Sequence, residues 1–150
     1  MPVIPIRAIL LTILLALASG HANAAPPAFC SIAASGVNFG AYLPDRGALS
    51  FTGKLRVTCS TTASFTVALT GGMSGNPALR QMRLPGGAML RYQLYQDAAH
   101  TRVWGDGGMG ALAGPFIGTG AELTVFGLLH GSQRVPAGAA TDLLTAIVNY

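Results

Sequence analysis

The sequence has 150 residues, of which 51% are hydrophobic and only 9% charged, with 20 glycines and a formal net charge of +4. This length supports one domain with a real core, and the arginines are scattered around a single lysine, Lys54, which excludes the basic face of a nucleic-acid binder. Few charges with many Gly and Thr fit short strands and tight turns on a protein that associates or stays protected, because a weakly charged apolar surface is poorly soluble.

The chain opens with one positive charge, Arg7, then an apolar run from Ala8 to Ala18 broken only by Thr12, then Ala22-Asn23-Ala24. This order of a charged start, an apolar stretch and a small-x-small site predicts a secretory signal peptide over residues 1–24 and a single domain over 25–150. A transmembrane anchor is the competing reading, but spanning a bilayer takes about 20 apolar residues and this run is shorter. A lipoprotein fits poorly, since Ala28 and Phe29 precede Cys30 where a lipobox needs a small residue. The expected location is therefore periplasmic in transit, then the cell surface or the medium, with no stable membrane insertion after cleavage.

Two cysteines remain, Cys30 and Cys59. In an exported protein an even pair is most simply a disulfide, here closing a loop of about 30 residues worth ~3.5 kcal/mol in the chain-entropy model. Two free buried thiols are the alternative. His100 and His130 show no ligand spacing to either cysteine, so no metal is expected.

The next segments alternate with a period of two. Phe51, Gly53, Leu55, Val57 and Cys59 alternate with Thr52, Lys54, Arg56, Thr58 and Ser60, and Phe65, Val67 and Leu69 repeat the pattern as a second strand. Gly71-Gly72 and Gly75-Asn76-Pro77 read as turns. Arg80 to Leu84 is a short strand candidate and Leu90, Tyr92 and Leu94 a stronger one, although Arg80 to Tyr95 can be read as one strand or two. Gly105 to Gly120 reads as a Gly-rich loop. Exposed, its Met109, Leu112, Phe116 and Ile117 would form an adhesive patch; folded back, they cap the core, which is the preferred reading. Leu123, Val125, Gly127 and Leu129 form the next strand, and Gly131 to Gly138 turns the chain.

Asp142 to Tyr150 completes the pattern, with Leu144, Ala146, Val148 and Tyr150 on one face. A sandwich whose last strand is also the end of the sequence is expected to lack a strand, leaving an edge and groove for another chain. No stretch outside the leader has a helical period, so the expected fold is an all-β antiparallel sandwich.

Catalysis finds little support. His130, Ser132 and Asp142 flank a turn and a strand entrance without a nucleophile elbow. Gly105-Asp106-Gly107-Gly108 lacks the Gly-Lys-Ser/Thr ending of a phosphate loop. Asp97, Asp106 and Glu122 are isolated carboxylates, and Trp104 reads as a packed aromatic. No enzyme and no cofactor are expected.

The ordered series Cys30, Gly36-Val37-Asn38-Phe39-Gly40-Ala41-Tyr42, Cys59, Arg80-Gln81-Met82, Leu90-Arg91-Tyr92-Gln93-Leu94-Tyr95, Trp104-Gly105-Asp106-Gly107, Ala137-Gly138, Asp142 and Tyr150 resembles the spore coat protein U domain. That domain is shared by spore-coat proteins and subunits of archaic chaperone–usher pili. The resemblance implies an incomplete immunoglobulin-like antiparallel β-sandwich lacking its final strand, completed first by a periplasmic chaperone and then by another pilin subunit at an outer-membrane usher. Strand addition of this kind takes affinity from backbone hydrogen bonds and specificity from alternate side chains. Leu144, Ala146, Val148 and Tyr150 are then the candidate acceptor groove and chaperone contact, although their spacing equally fits ordinary core.

Two departures from the family pattern stand out. Only Ala25 to Phe29 separate the cleavage site from Cys30, a reach of at most ~18 Å, and Pro26 and Pro27 lack amide donors, so the chain reads as a strand acceptor and not a donor. Ala140 stands where an aromatic residue is common. The expected function is a structural or adhesive pilus subunit, with a self-sufficient secreted coat or surface-binding protein as the alternative.

Overall fold

The computed structural model describes residues 26–150. The expected signal peptide lies outside the described residues. Among those described there are six strands, two short 3-10 turns and no α-helix: β1 (Cys30–Ser35), β2 (Leu49–Leu69), β3 (Gln81–Arg83), β4 (Met89–Tyr95), β5 (Ala113–Leu129) and β6 (Ala146–Asn149). Every pairing between them is antiparallel, in the order β1-β2-β5-β4-β3, and β6 pairs with the far end of β2.

β2 forms where alternation is strongest. Gly53, Leu55, Val57 and Cys59 turn inward while Lys54, Arg56 and Thr58 face water. Opposite them, Glu122 of β5 accepts from Lys54 at 2.6 Å and Arg56 at 2.8 Å on the exposed face. Cys30 lies directly across from Cys59 and the two are joined as a disulfide, which ties β1 to β2.

The two strands expected between Phe51 and Leu69 are one. Residues 60–64 contain neither Gly nor Pro, so nothing ends the strand there. Instead the register slips: β2 advances from Thr58 to Ala63 while β5 moves only from Gly120 to Gly118. Unmatched residues of this kind bend a strand and deepen its twist, which lets one strand pair serve both halves of a curled sheet.

The expected Gly-rich loop over Gly105–Gly120 is corrected in the same way. The loop ends at Leu112, and from Ala113 the chain is already β5, so Phe116 and Ile117 are strand residues. A Cβ on Gly120 would fall on the Val57 carbonyl oxygen, so this glycine marks a close approach of two backbones and not a loop.

The final strand is shorter than its sequence pattern. Only Ala146–Asn149 joins the ladder, against Leu69–Thr66 of β2. The Asp142 carboxylate captures the Leu143 amide, and the Thr145 amide donates to Thr70 Oγ1, so Asp142–Thr145 is held by side chains. Arg80 to Tyr95 proves to be two strands, joined by a turn in which the Leu84 amide donates to Ala88 O and the Gly87 amide to Leu84 O.

One apolar core unites all of this, including Leu55, Phe65, Val67, Leu94, Trp104 and Leu129. Trp104 is 1% exposed and donates its indole N–H to Val67 O at 2.9 Å. Arg80, also 1% exposed, lies within this interior. Its guanidinium donates to the carbonyls of Leu69, Thr70, Pro77 and Trp104 and to Gln93 Oε1. Burial pulls its pKa down to about 10, which still leaves it cationic at neutral pH.

Candidate functional site

Two stretches outside the strands, residues 36–44 and 135–144, lie over the core and enclose an apolar cavity of about 970 Å³. Its floor is sheet: Leu55 and Leu69 of β2, Leu90 and Leu94 of β4, Val125 and Leu129 of β5. These side chains point inward because each sits on the buried phase of its strand. The volume is at the top of the range of about 300–1,000 Å³ typical of ligand pockets, and a row of aliphatic side chains would fill it.

The first lip is positioned by Phe39, which is buried and packs edge-on to Tyr92 at 5.7 Å and to Phe51 at 5.9 Å. The hydroxyl of Tyr42 accepts the Gln133 amide at 2.7 Å, so the first lip is joined to the approach of the second. Gln133 is itself fixed to β4. Its Oε1 accepts the Arg91 amide at 2.7 Å and its Nε2 donates to Arg91 O at 2.8 Å, extending the ladder by a side chain where β5 has ended.

The second lip is held at its far end. Thr141 and Arg83 exchange backbone hydrogen bonds at 2.9 and 3.0 Å. Asp142 is the one charged side chain among the lining residues. Its Oδ2 accepts the Tyr92 hydroxyl at 2.7 Å, and its Oδ1 accepts the amides of Met73 and Leu143, each at 2.8 Å. Burial, together with this hydrogen bond to the carboxylate, pushes the Tyr92 phenol far above its ordinary pKa, so it is a fixed donor. The cavity therefore presents apolar walls and one satisfied carboxylate, an arrangement suited to binding apolar groups.

Of the residues singled out by sequence, Leu144 and Ala146 line this cavity. Val148 packs on the core beside it, paired with Val67, and Tyr150 is 56% exposed. The four adhesive candidates divide. Met109 is exposed and Ile117 is 82% exposed, whereas Leu112 is half-buried and the Phe116 ring packs on Phe65 at 5.5 Å. Of the three residues weighed as a triad, Asp142 is committed to Tyr92, Met73 and Leu143. Among the described residues no cluster of His, Cys, Asp or Glu could hold a metal ion, and no helix is long and apolar enough to cross a membrane.

Sequence reasoning missed the two lips as cavity walls. The run Gly36–Tyr42 was visible as a motif, and its lone Phe39 between Asn38 and Gly40 was the available signal of an anchored loop. Nothing in residues 135–141 has a period that would mark a wall.

The fold has known counterparts. Over 83% of its length the chain superposes on 40% of a chain in the crystal structure of the CsuC–CsuE chaperone–tip adhesion subunit pre-assembly complex from archaic chaperone–usher Csu pili of Acinetobacter baumannii, with a TM-score of 0.56 and 24% identity. The chain thus spans well under half of that protein, and the likeness is one of fold: all-β, antiparallel and immunoglobulin-like, as the sequence led one to expect. Protein U of Myxococcus xanthus is 31% identical over 129 residues, covering 76% of this chain and 71% of the relative. The family model of the Spore Coat Protein U domain matches residues 16–147, and the chain belongs to that family.

Proposed function

We propose that this protein is a structural subunit of a chaperone–usher type surface fibre, and that its apolar cavity accepts an extended strand from another polypeptide. The observation that carries the reading is the cavity itself. Core side chains from β2, β4 and β5 face a space of about 970 Å³ that, among the described residues, is partly covered by two segments outside the strands. An inserted strand would displace the middle of those segments, leaving Leu144 on the wall, and would add backbone hydrogen bonds and put alternate side chains against Leu55, Leu90 and Leu129. Family membership supports this, as does the likeness in fold to a protein crystallised with its chaperone.

On this reading the partners are a periplasmic chaperone, an outer-membrane usher and further subunits. The protein is exported and displayed at the cell surface, and it works by assembly without catalysis. Leu144 and Ala146 would touch the incoming strand, and Val148 and Tyr150 would extend the contact along β6.

A second reading, a self-sufficient secreted coat or surface-binding module, is favoured by one observation: the two lips already cover the floor, leaving Leu55, Leu90 and Leu129 buried. Periplasmic expression with and without a chaperone separates the two. Aggregation or proteolysis rescued by the chaperone supports the strand acceptor. A soluble monomer that unfolds cooperatively alone, with no chaperone bound on co-expression, supports the self-sufficient module.

A further inference from the structure

The two ends of the second lip are anchored independently of what lies between them. Gln133 is fixed to β4 and to Tyr42, and Thr145 is fixed to Thr70 by an amide to the hydroxyl at 2.9 Å and by the Thr70 amide to its carbonyl at 3.0 Å. The stretch between them has no regular structure, and Pro136 to Ala139 are all exposed. Val135, Ala140 and Leu144 pack on the core toward its ends, but the exposed middle buries little apolar surface of its own and gains little from staying down. Its ties are concentrated at one place, the Thr141–Arg83 pair and the Asp142 carboxylate.

We propose that residues 135–144 are a strap hinged at Gln133 and Thr145 that gates the cavity, and that the bond between Asp142 and the Tyr92 hydroxyl is its latch. Tyr92 is the right partner for a latch because it belongs to the floor: it is buried on β4, and its hydroxyl donates to the strap. With the strap down the phenol is satisfied; with the strap lifted it must find water, and water reaches it only once the cavity is open. Opening the strap is therefore coupled to wetting the groove. A strand can enter through this local motion, with β2 and β5 still paired. The gate's use for an incoming strand rests on the acceptor reading above; the latch does not.

Amide hydrogen exchange followed by NMR on the full exported chain tests this. In the wild type, the Thr141, Arg83 and Leu143 amides should exchange much faster than those of Leu55 and Val125. Tyr92→Phe, which removes only the hydroxyl, should speed them roughly tenfold further while leaving Leu55 and Val125 unchanged. Asp142→Asn should act in the same direction. Binding of the apolar dye ANS should accelerate by the same factor. Equal exchange of strap and core in the wild type, or equal acceleration of both in Tyr92→Phe, would overturn the latch. If the strap opens separately as expected but co-expressed chaperone never binds the wild type, the gate stands and the acceptor reading falls.

Discussion

Arg80 Nη1 donates to Gln93 Oε1 at 2.6 Å, joining two buried polar side chains, and the same oxygen accepts the Leu94 amide at 2.8 Å. Among the described residues no carboxylate is hydrogen-bonded to the guanidinium. Its charge is met by carbonyl dipoles from four positions of the chain, Leu69, Thr70, Pro77 and Trp104.

Lysine cannot reproduce that fork, because an ammonium offers three donors from one point. Arg80→Lys is expected to lose about 2 kcal/mol or more in urea unfolding. Arg80→Met should lose more, since several buried oxygens then lack donors at about 1–3 kcal/mol each. An unchanged urea midpoint in Arg80→Lys would show that the fork geometry is irrelevant.

The pH dependence follows from groups held by hydrogen bonds. Asp97 is lowered by the amides of Arg102 and Thr101, Asp106 by those of Met109 and Gly108, and Glu122 by Lys54 and Arg56. A depressed carboxylate means the unfolded chain binds more protons at acid pH, so this stability is present above the unfolded values near 4 and is lost as pH falls through the folded ones. Tyr92, and Tyr95 by burial and then Asp97, are raised, so their contribution is present below about 10 and declines as pH rises beyond it. The urea midpoint is thus expected to be flat from about pH 6 to 9 and to fall on the acid side, while above about pH 10 the lowered Arg80, which acts in the opposite sense, offsets the tyrosines. Combining Asp97→Asn, Asp106→Asn and Glu122→Gln should flatten the acid limb; an unaltered limb would assign it elsewhere.

Gly105 has no space for a side chain. A Cβ there would fall on the Met109 carbonyl oxygen, in the tight loop where the Asp106 carboxylate collects the Gly108 and Met109 amides. Gly105→Ala must displace that loop, and Trp104 beside it is core. The variant is expected to lose about 3 kcal/mol or fail to accumulate, whereas Gly108→Ala, with only the Asp106 Oδ1 at 3.5 Å, should be close to neutral. Similar thermal stability for the two would contradict the steric account.

Leu144 lies half-buried on the cavity wall beyond the latch. If the cavity receives a strand, Leu144→Glu should abolish co-purification with the chaperone, because a carboxylate in an apolar groove has no partner. Leu143→Glu, at an 89% exposed neighbour, should leave it intact. Equal loss in both would place the contact outside the cavity.

Sequence alternation located β4, the second half of β5, β2 as two pieces and β6 within wider bounds, because a strand with one wet face writes its period into the chain. It failed where a residue's meaning depends on a remote partner. Gly120 looks like loop until the Val57 carbonyl is set against it. Arg80 looks like the exposed start of a strand, since the oxygens that make its burial tolerable come from segments up to 24 residues away. Asp142 looks like a strand entrance, and Tyr92, its partner, is 50 residues distant. The alternation picked out Leu144 and Ala146, which line the cavity; the rest of the strap, whose exposed middle is Pro136, Ala137, Gly138 and Ala139, carries no such period.

β2 and β5 each run without interruption through both halves of the curled sheet, paired from Leu49↔Leu129 to Val67↔Ala113. The domain consequently has no seam. In a two-layer protein built of short strands, one layer can peel from the other; here both are woven on the same two threads, so a load applied to one half is carried as shear along the whole pair. The pieces free to yield on their own are those off the threads. On the acceptor reading, such a domain can exchange what covers its core without loosening its grip on itself.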